Sequence, residues 1–87
     1  MTVNPDFVLR ELAGQWLLVS IAEDEDSKRL LYLNEIGKDI FTHLQEGLEG
    51  DALLTTLQEE YDIDTVTLRT DIEEYLTLLR SYNVITD

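Results

Sequence analysis

Apolar residues along this chain recur first at every second position and later at every third or fourth. Phe7 to Leu12 (FVLREL) and Gln15 to Ile21 (QWLLVSI) are short runs rich in β-branched and aromatic residues, and Ala13-Gly14 between them predicts a hairpin. In the second run Leu17, Val19 and Ile21 share one face. After the acidic break Glu23 to Asp26 and Ser27, a third run from Lys28 to Leu33 puts Leu31 and Leu33 on one face and Leu30 and Tyr32 on the other. The pattern predicts three antiparallel strands in a meander. So short a sheet cannot stand alone in water, so the rest of the chain must cover its apolar face.

From Asn34 the period lengthens to about 3.6. Asn34 suits an N-cap and Glu35 a first turn, while Ile36, Ile40, Phe41 and Leu44 form one stripe that Gly47 ends. A second helix is expected from about Asp51, its N-cap, through Leu53, Leu54, Leu57 and Tyr61, until Asp62-Ile63-Asp64 breaks the pattern. The third and longest carries Leu68, Ile72, Tyr75, Leu76 and Leu79, with Thr65 or Thr67 as cap, and Val84-Ile85 continue beyond it. The order is βββααα: an α+β fold of three strands followed by three helices, in a single domain over residues 1–87.

A chain of 87 residues buries about 60–65% of its unfolded surface, enough for one core and not two. Hydrophobic residues make up 44% and include Trp16, two Phe and four Tyr, above the composition of disordered chains. Nineteen Asp plus Glu against six Lys plus Arg give a net charge of −13, which repels polyanions and argues against nucleic acid as a partner. Cysteine is absent, which excludes disulfides, thiolate zinc sites and thiol nucleophiles. No basic-then-apolar signal opens the chain, and no apolar run approaches the roughly 20 residues of a membrane span, so a cytoplasmic protein without membrane contact is expected.

Little in the composition suits catalysis. The lone histidine, His43, lies beside the Phe41 and Leu44 stripe and reads as a surface residue; a single His makes no zinc site. Ser20, Ser27 and Ser81 have no evident base. Glu73 and Glu74 are adjacent and so do not share a helical face, and the acidic break lacks the glycine and distal Glu of a calcium loop. No catalytic residue, metal or cofactor is assigned, and the chain is not expected to be an enzyme.

What remains is the third strand. As the last of a meander it lies at a sheet edge, with unpaired main-chain N–H and C=O groups over Lys28 to Leu33. Lys28 and Arg29 at its start would either protect that edge by charge or flank a peptide captured by strand addition.

Leu30 to Gly47 (LLYLNEIGKDIFTHLQEG) resembles the PqqD-like family, the peptide-binding chaperones also called RiPP recognition elements. The resembling positions are Leu33-Asn34, the small Gly37, Ile40-Phe41, Leu44 and Gly47; downstream they are Leu53-Leu54, Leu57, Tyr61-Asp62-Ile63, Asp71-Ile72, Tyr75-Leu76, Leu79 and Val84-Ile85. The likeness spans nearly the whole chain, and its distinctive parts are Leu-Asn-x-x-Gly and the βββααα order. Phe41 stands where the family often has Trp, and Asn83-Val84-Ile85 where a Gly-containing ending is common.

The resemblance implies a winged-helix-like fold whose third strand and third helix hold the leader segment of a ribosomally made precursor peptide as an added strand. It also implies a separate maturation enzyme, often a radical S-adenosylmethionine protein, to which the leader is presented. Carried over by position, the groove residues are Lys28, Arg29, Leu30, Leu31, Tyr32 and Leu33 on the strand, with Leu68, Arg69, Ile72 and Leu76 on the helix. Arg69 would either accept acidic leader residues or pair with Glu73 at i+4. Ile72 and Leu76 would serve as core, groove floor or both. An open edge also permits a homodimer.

Two other functions compete. An acyl or peptidyl carrier protein is equally small and acidic, and Asp26-Ser27 is part of an attachment signature, but Ser27 follows strands rather than starting a helix. A winged-helix regulator would bring a helix holding Arg69 and Arg80 against Asp71, Glu73 and Glu74 to a phosphate backbone, where its net negative charge is unfavourable.

Overall fold

The computed structural model describes residues 1–21 and 30–86; the acidic break, Ser27, Lys28 and Arg29 lie outside them. The elements in chain order are β1 (Thr2–Val3), β2 (Phe7–Leu12), β3 (Gln15–Ser20), β4 (Leu30–Leu33), α1 (Glu35–Gln45), α2 (Gly50–Glu60), α3 (Thr65–Ser81) and β5 (Ile85–Thr86). The α+β order read from the sequence is therefore present, with β2, β3 and β4 as the three-stranded antiparallel meander.

Ala13 (φ 53°) and Gly14 (φ 81°) close the β2–β3 hairpin, both with the positive φ that two-residue turns matched to strand twist require. The pairing Leu9 with Leu18 and Leu18 with Leu31 lines up one face, which Phe7, Trp16 and Leu33 extend. That face carries the core. It is not the Leu17, Val19, Ile21 face suggested by the sequence. Leu17 is buried but apart from the core cluster, and Ile21, beyond the end of β3, is 57% exposed. Alternation alone leaves the two faces of an apolar run equivalent, and the partners on β2 and β4 decide between them.

Against the sheet lie Ile40, Phe41 and Leu44 of α1, Leu53 and Leu57 of α2, and Leu68, Ile72 and Leu79 of α3, all buried in one cluster. Beyond the sequence reading, β1 and β5 pair Val3 with Ile85, joining the two ends of the chain beside the core. Asn4 reinforces the join by donating its backbone N–H to the Val84 carbonyl (2.7 Å) and its side-chain amide to the Asn83 carbonyl (2.9 Å).

The helix ends differ from expectation at two places. α3 is capped by Asp64, not by Thr65 or Thr67: its carboxylate accepts from the Thr67 N–H (3.0 Å) and hydroxyl (2.7 Å), so Thr67 is the donor and Asp64 the cap. α2 starts one residue before Asp51, with Glu49 at the cap position and no side-chain bond there; Asp51 sits in the first turn, where its charge opposes the helix dipole favourably. Gly47 (φ 94°) ends α1 as expected, with Leu48 N–H bonded to the His43 carbonyl. Asn83 (φ 61°) ends α3 in the same way, with Val84 N–H bonded to the Leu79 carbonyl. Asparagine there does the work of a glycine.

Two polar clamps tie α1 to α2. The Tyr61 hydroxyl donates to Asp39, whose other oxygen meets Lys38 at 2.6 Å. Burial works against ionisation of Asp39, but these hydrogen bonds hold its carboxyl below the usual range. Half-buried His43 bridges Glu46 (2.7 Å, Nδ1) on its own helix and Glu60 (2.6 Å, Nε2) at the end of α2. Partial burial lowers its proton affinity, yet the two carboxylates outweigh this and raise it above 6.5.

Replacing Ala13 by Asn should raise stability by about 0.5–1 kcal/mol in urea unfolding, because a non-glycine residue lacking a polar side chain is strained at positive φ. An unchanged midpoint would show that the turn holds no such strain. The His43 bridge should be pH-dependent. Since its folded-state proton affinity is raised, its contribution is full below about pH 6.5 and fades as pH rises through the folded value. His43→Gln should thus cost about 0.5–1 kcal/mol at pH 5.5 and nearly nothing at about pH 9, the scale of a screened surface pair. A pH-independent difference contradicts the bridge.

Candidate functional site

Antiparallel pairing joins β4 to β3, with Leu31 opposite Leu18 and Tyr32 opposite Leu17. Among the described residues no strand pairs with the other side of β4, so alternate N–H and C=O groups there point away from the sheet. Leu31 and Leu33 are buried, whereas Leu30 (48% exposed) and Tyr32 (59%) face outward, as the alternation predicts. Two of the six expected strand residues, Lys28 and Arg29, fall outside the described residues.

Two depressions flank the junction of β4 and α1. The one on the β3 side is lined by Gly14, Gln15, Trp16, Tyr32, Leu33, Asn34, Glu35 and Lys38, and the Lys38 ammonium sits 4.9 Å from the Trp16 ring centre. The other opens on the side of α3, with a volume of about 370 Å³, and is lined by Asn34, Ile36, Asp71, Glu74, Tyr75 and Leu78. This second cleft lies just beyond the end of β4, between the start of α1 at Asn34 and Ile36 and one flank of α3.

Its floor is organised by one side chain. Asn34 Oδ1 accepts the Gly37 N–H (2.9 Å), capping α1, and also the Tyr75 hydroxyl of α3. Tyr75 lies so close to α1 that a Cβ on Gly37 would fall 2.5 Å from its ring. The Asn-x-x-Gly spacing read from the sequence thus has two physical jobs: the asparagine caps the helix, and the glycine makes room for the tyrosine that closes on it.

The helix wall of this cleft is formed by one flank of α3. At about 100° per residue, buried Leu68, Ile72 and Leu79 mark the inward direction of α3. Leu76 and Arg69 flank that line on one side, and Tyr75, Asp71 and Leu78 on the other. Arg69, Ile72 and Leu76 accordingly border a separate concavity with Met1, Leu44, Glu49, Leu53 and Leu54, toward α2. Leu68 is fully buried. Of the four helix residues expected in the groove, none lines the cleft beside β4; the stripe one turn around does. No ion pair joins Arg69 to Glu73 either.

The residues that line this cleft left a trace in the sequence: Asp71, Glu74, Tyr75 and Leu78 form an i, i+3, i+4, i+7 stripe of their own. What the pattern lacked was a reason to rank that flank above the other, and the Tyr75–Asn34 contact supplies it. For chemistry the site offers little: among the described residues no group of His, Cys, Asp and Glu could hold a metal ion. No helix is long and apolar enough to cross a membrane.

A model of the family described as coenzyme PQQ synthesis protein D (PqqD) matches residues 21–85, from the end of β3 through β5. A solved structure titled "TbiB1 in Complex with the TbiA(beta) Leader Peptide" is similar with a TM-score of 0.80 and 19% identity, over 100% of both chains. No curated protein sequence matches significantly.

Gly37→Ala should displace Tyr75 from Asn34 and cost about 1–2 kcal/mol by chemical denaturation. In a Tyr75→Ala background the same change should cost nothing or stabilise, because alanine is the better helix former by about 1 kcal/mol. Additive effects would refute the contact.

Proposed function

This chain belongs to the PqqD family, and from that premise we propose that it binds the leader segment of a ribosomally synthesised precursor peptide as a strand added to β4, against α3. The observation that carries the reading is the side of β4 that no strand pairs with among the described residues, together with a cleft at the end of that strand walled by Ile36, Tyr75 and Leu78. Main-chain pairing along Leu30 to Leu33 supplies affinity that tolerates sequence differences, and alternate side chains of the guest reach the cleft and supply selectivity. The likeness to a fold whose title names a leader peptide supports the same assignment.

In this reading the chain, acting as one unit over residues 1–87, does no chemistry itself. It holds the leader while a separate maturation enzyme, for which a radical S-adenosylmethionine protein is the family's usual kind, acts on the attached core segment. Such work belongs in the cytoplasm, where precursor and enzyme are made. Two copies pairing through their β4 edges would compete with the leader for the same groups.

Titration of the isotopically labelled chain with a panel of synthetic leader peptides should newly protect from exchange those alternate amides of Leu30 to Leu33 that point away from β3, and shift Ile36, Tyr75 and Leu78. Arg69→Glu should leave the affinity within about twofold, since Arg69 lies on the opposite flank of α3. Shifts confined to Met1, Leu53, Leu54, Arg69 and Leu76 would move the site to the α2–α3 concavity and reject strand addition at β4.

A further inference from the structure

The polar part of the cleft wall is negative. Asp71 and Glu74 line it, and neither carboxylate has a hydrogen-bond or ion-pair partner among the described residues. None of the described Lys and Arg residues lines it: Lys38 stacks over Trp16 on the β3 side, Arg69 borders the α2 concavity, and Arg10 on β2 and Arg80 in the last turn of α3 are not among the lining residues. Sequence reasoning expected Arg69 to make the groove a basic spot for acidic leader residues; with Arg69 on the other flank, the cleft wall has the opposite sign.

A strand added to β4 turns every second side chain toward the helix side of the sheet, on the same side as Leu31 and Leu33. A guest strand that runs on past the end of β4 would carry such side chains to the cleft at Asn34, whose wall offers two kinds of surface: apolar Ile36, Tyr75 and Leu78, and the unpaired carboxylates of Asp71 and Glu74. An apolar residue satisfies the first. Only a cation satisfies the second, while an acidic residue there would meet like charge inside a molecule of net charge −13.

Resting on the leader-binding assignment, we infer that the peptide bound in this cleft is one that sets a Lys or Arg beside an apolar residue on its inward face, two positions apart, with the cation held by Asp71 and Glu74. Arginine is the better fit, since its planar fork meets carboxylates in pairs and its stem covers the Tyr75 and Leu78 surface. The two carboxylates are specificity determinants of the groove, and they select against leaders with acidic residues at that register.

The test starts from the tightest binder in a panel of synthetic leader peptides, measured by fluorescence anisotropy. Its Lys and Arg residues are replaced one at a time by Gln and then by Glu. One position should weaken binding about three- to tenfold as Gln and more as Glu, with the difference shrinking between about 0.05 and 0.5 M salt. Asp71→Lys with Glu74→Lys, its fold checked by circular dichroism, should reverse the order so that the Glu peptide binds best. Should the paired variant fail to fold, the exposed Glu74→Lys alone should reduce the preference. If peptides bind at β4 but no replacement matters and the lysine variant keeps the wild-type ranking, the charge inference is overturned while the leader-binding assignment stands. If no peptide in the panel binds, both fall.

Discussion

A single amide oxygen, Asn34 Oδ1, holds the functional end of this molecule together. It accepts the Gly37 N–H at the start of α1 and the Tyr75 hydroxyl from the middle of α3. The first bond fixes where β4 stops and the helix begins; the second fixes how closely α3 approaches that point. Tyr75 must pass over Gly37 to reach it, and only a residue without a side chain leaves the room. The cleft beside β4 is therefore a consequence of three residues from two distant parts of the chain, and its width is set by a hydrogen bond rather than by loosely packed side chains.

Next to this contact lies a sheet edge with which no strand pairs among the described residues. Natural sheets cover, twist or charge their edges because a bare ribbon of main chain recruits other strands. Here Leu31 and Leu33 of β4 share one core with Leu68, Ile72 and Leu79 of α3, so the apolar face of the strand is covered, and among the described residues no strand pairs with its other hydrogen-bonding side. Leu30 (48% exposed) and Tyr32 (59%) leave apolar surface on the outer face of that edge rather than the charges that commonly guard one. Beyond the end of the strand the surface continues into the cleft formed by Asn34 and Ile36 with Asp71, Glu74, Tyr75 and Leu78.

Much of this was legible in the residues, and what was not had specific physical causes. The hairpin at Ala13-Gly14, the stop at Gly47 and the stripes of α1 and α3 follow from turn chemistry and period. Asp64 was passed over as a cap because Thr65 and Thr67 are caps of equal type, and only the bond from Thr67 to Asp64 separates donor from acceptor. The two-residue strands β1 and β5 are too short to leave a period at all; they form because Val84 and Ile85 are buried and bring the C-terminal end alongside Val3. In β3, every residue from Trp16 to Val19 is apolar, so the sequence contained the strand but not its inward face.

The helix wall of the cleft shows where a one-dimensional pattern stops being informative. A helix with three fully or nearly buried positions, Leu68, Ile72 and Leu79, has two flanks, and each flank of α3 carries one half-buried apolar residue, Leu76 on one side and Tyr75 on the other. Charge does not break the tie, since Arg69 with Glu73 lies on the first flank and Asp71 with Glu74 on or near the second. The tie is broken by a contact 41 residues away in sequence, between Tyr75 and Asn34. The Tyr75 flank carries two carboxylates and the other carries Arg69, so one hydrogen bond decides both the shape and the sign of the cleft at the end of β4.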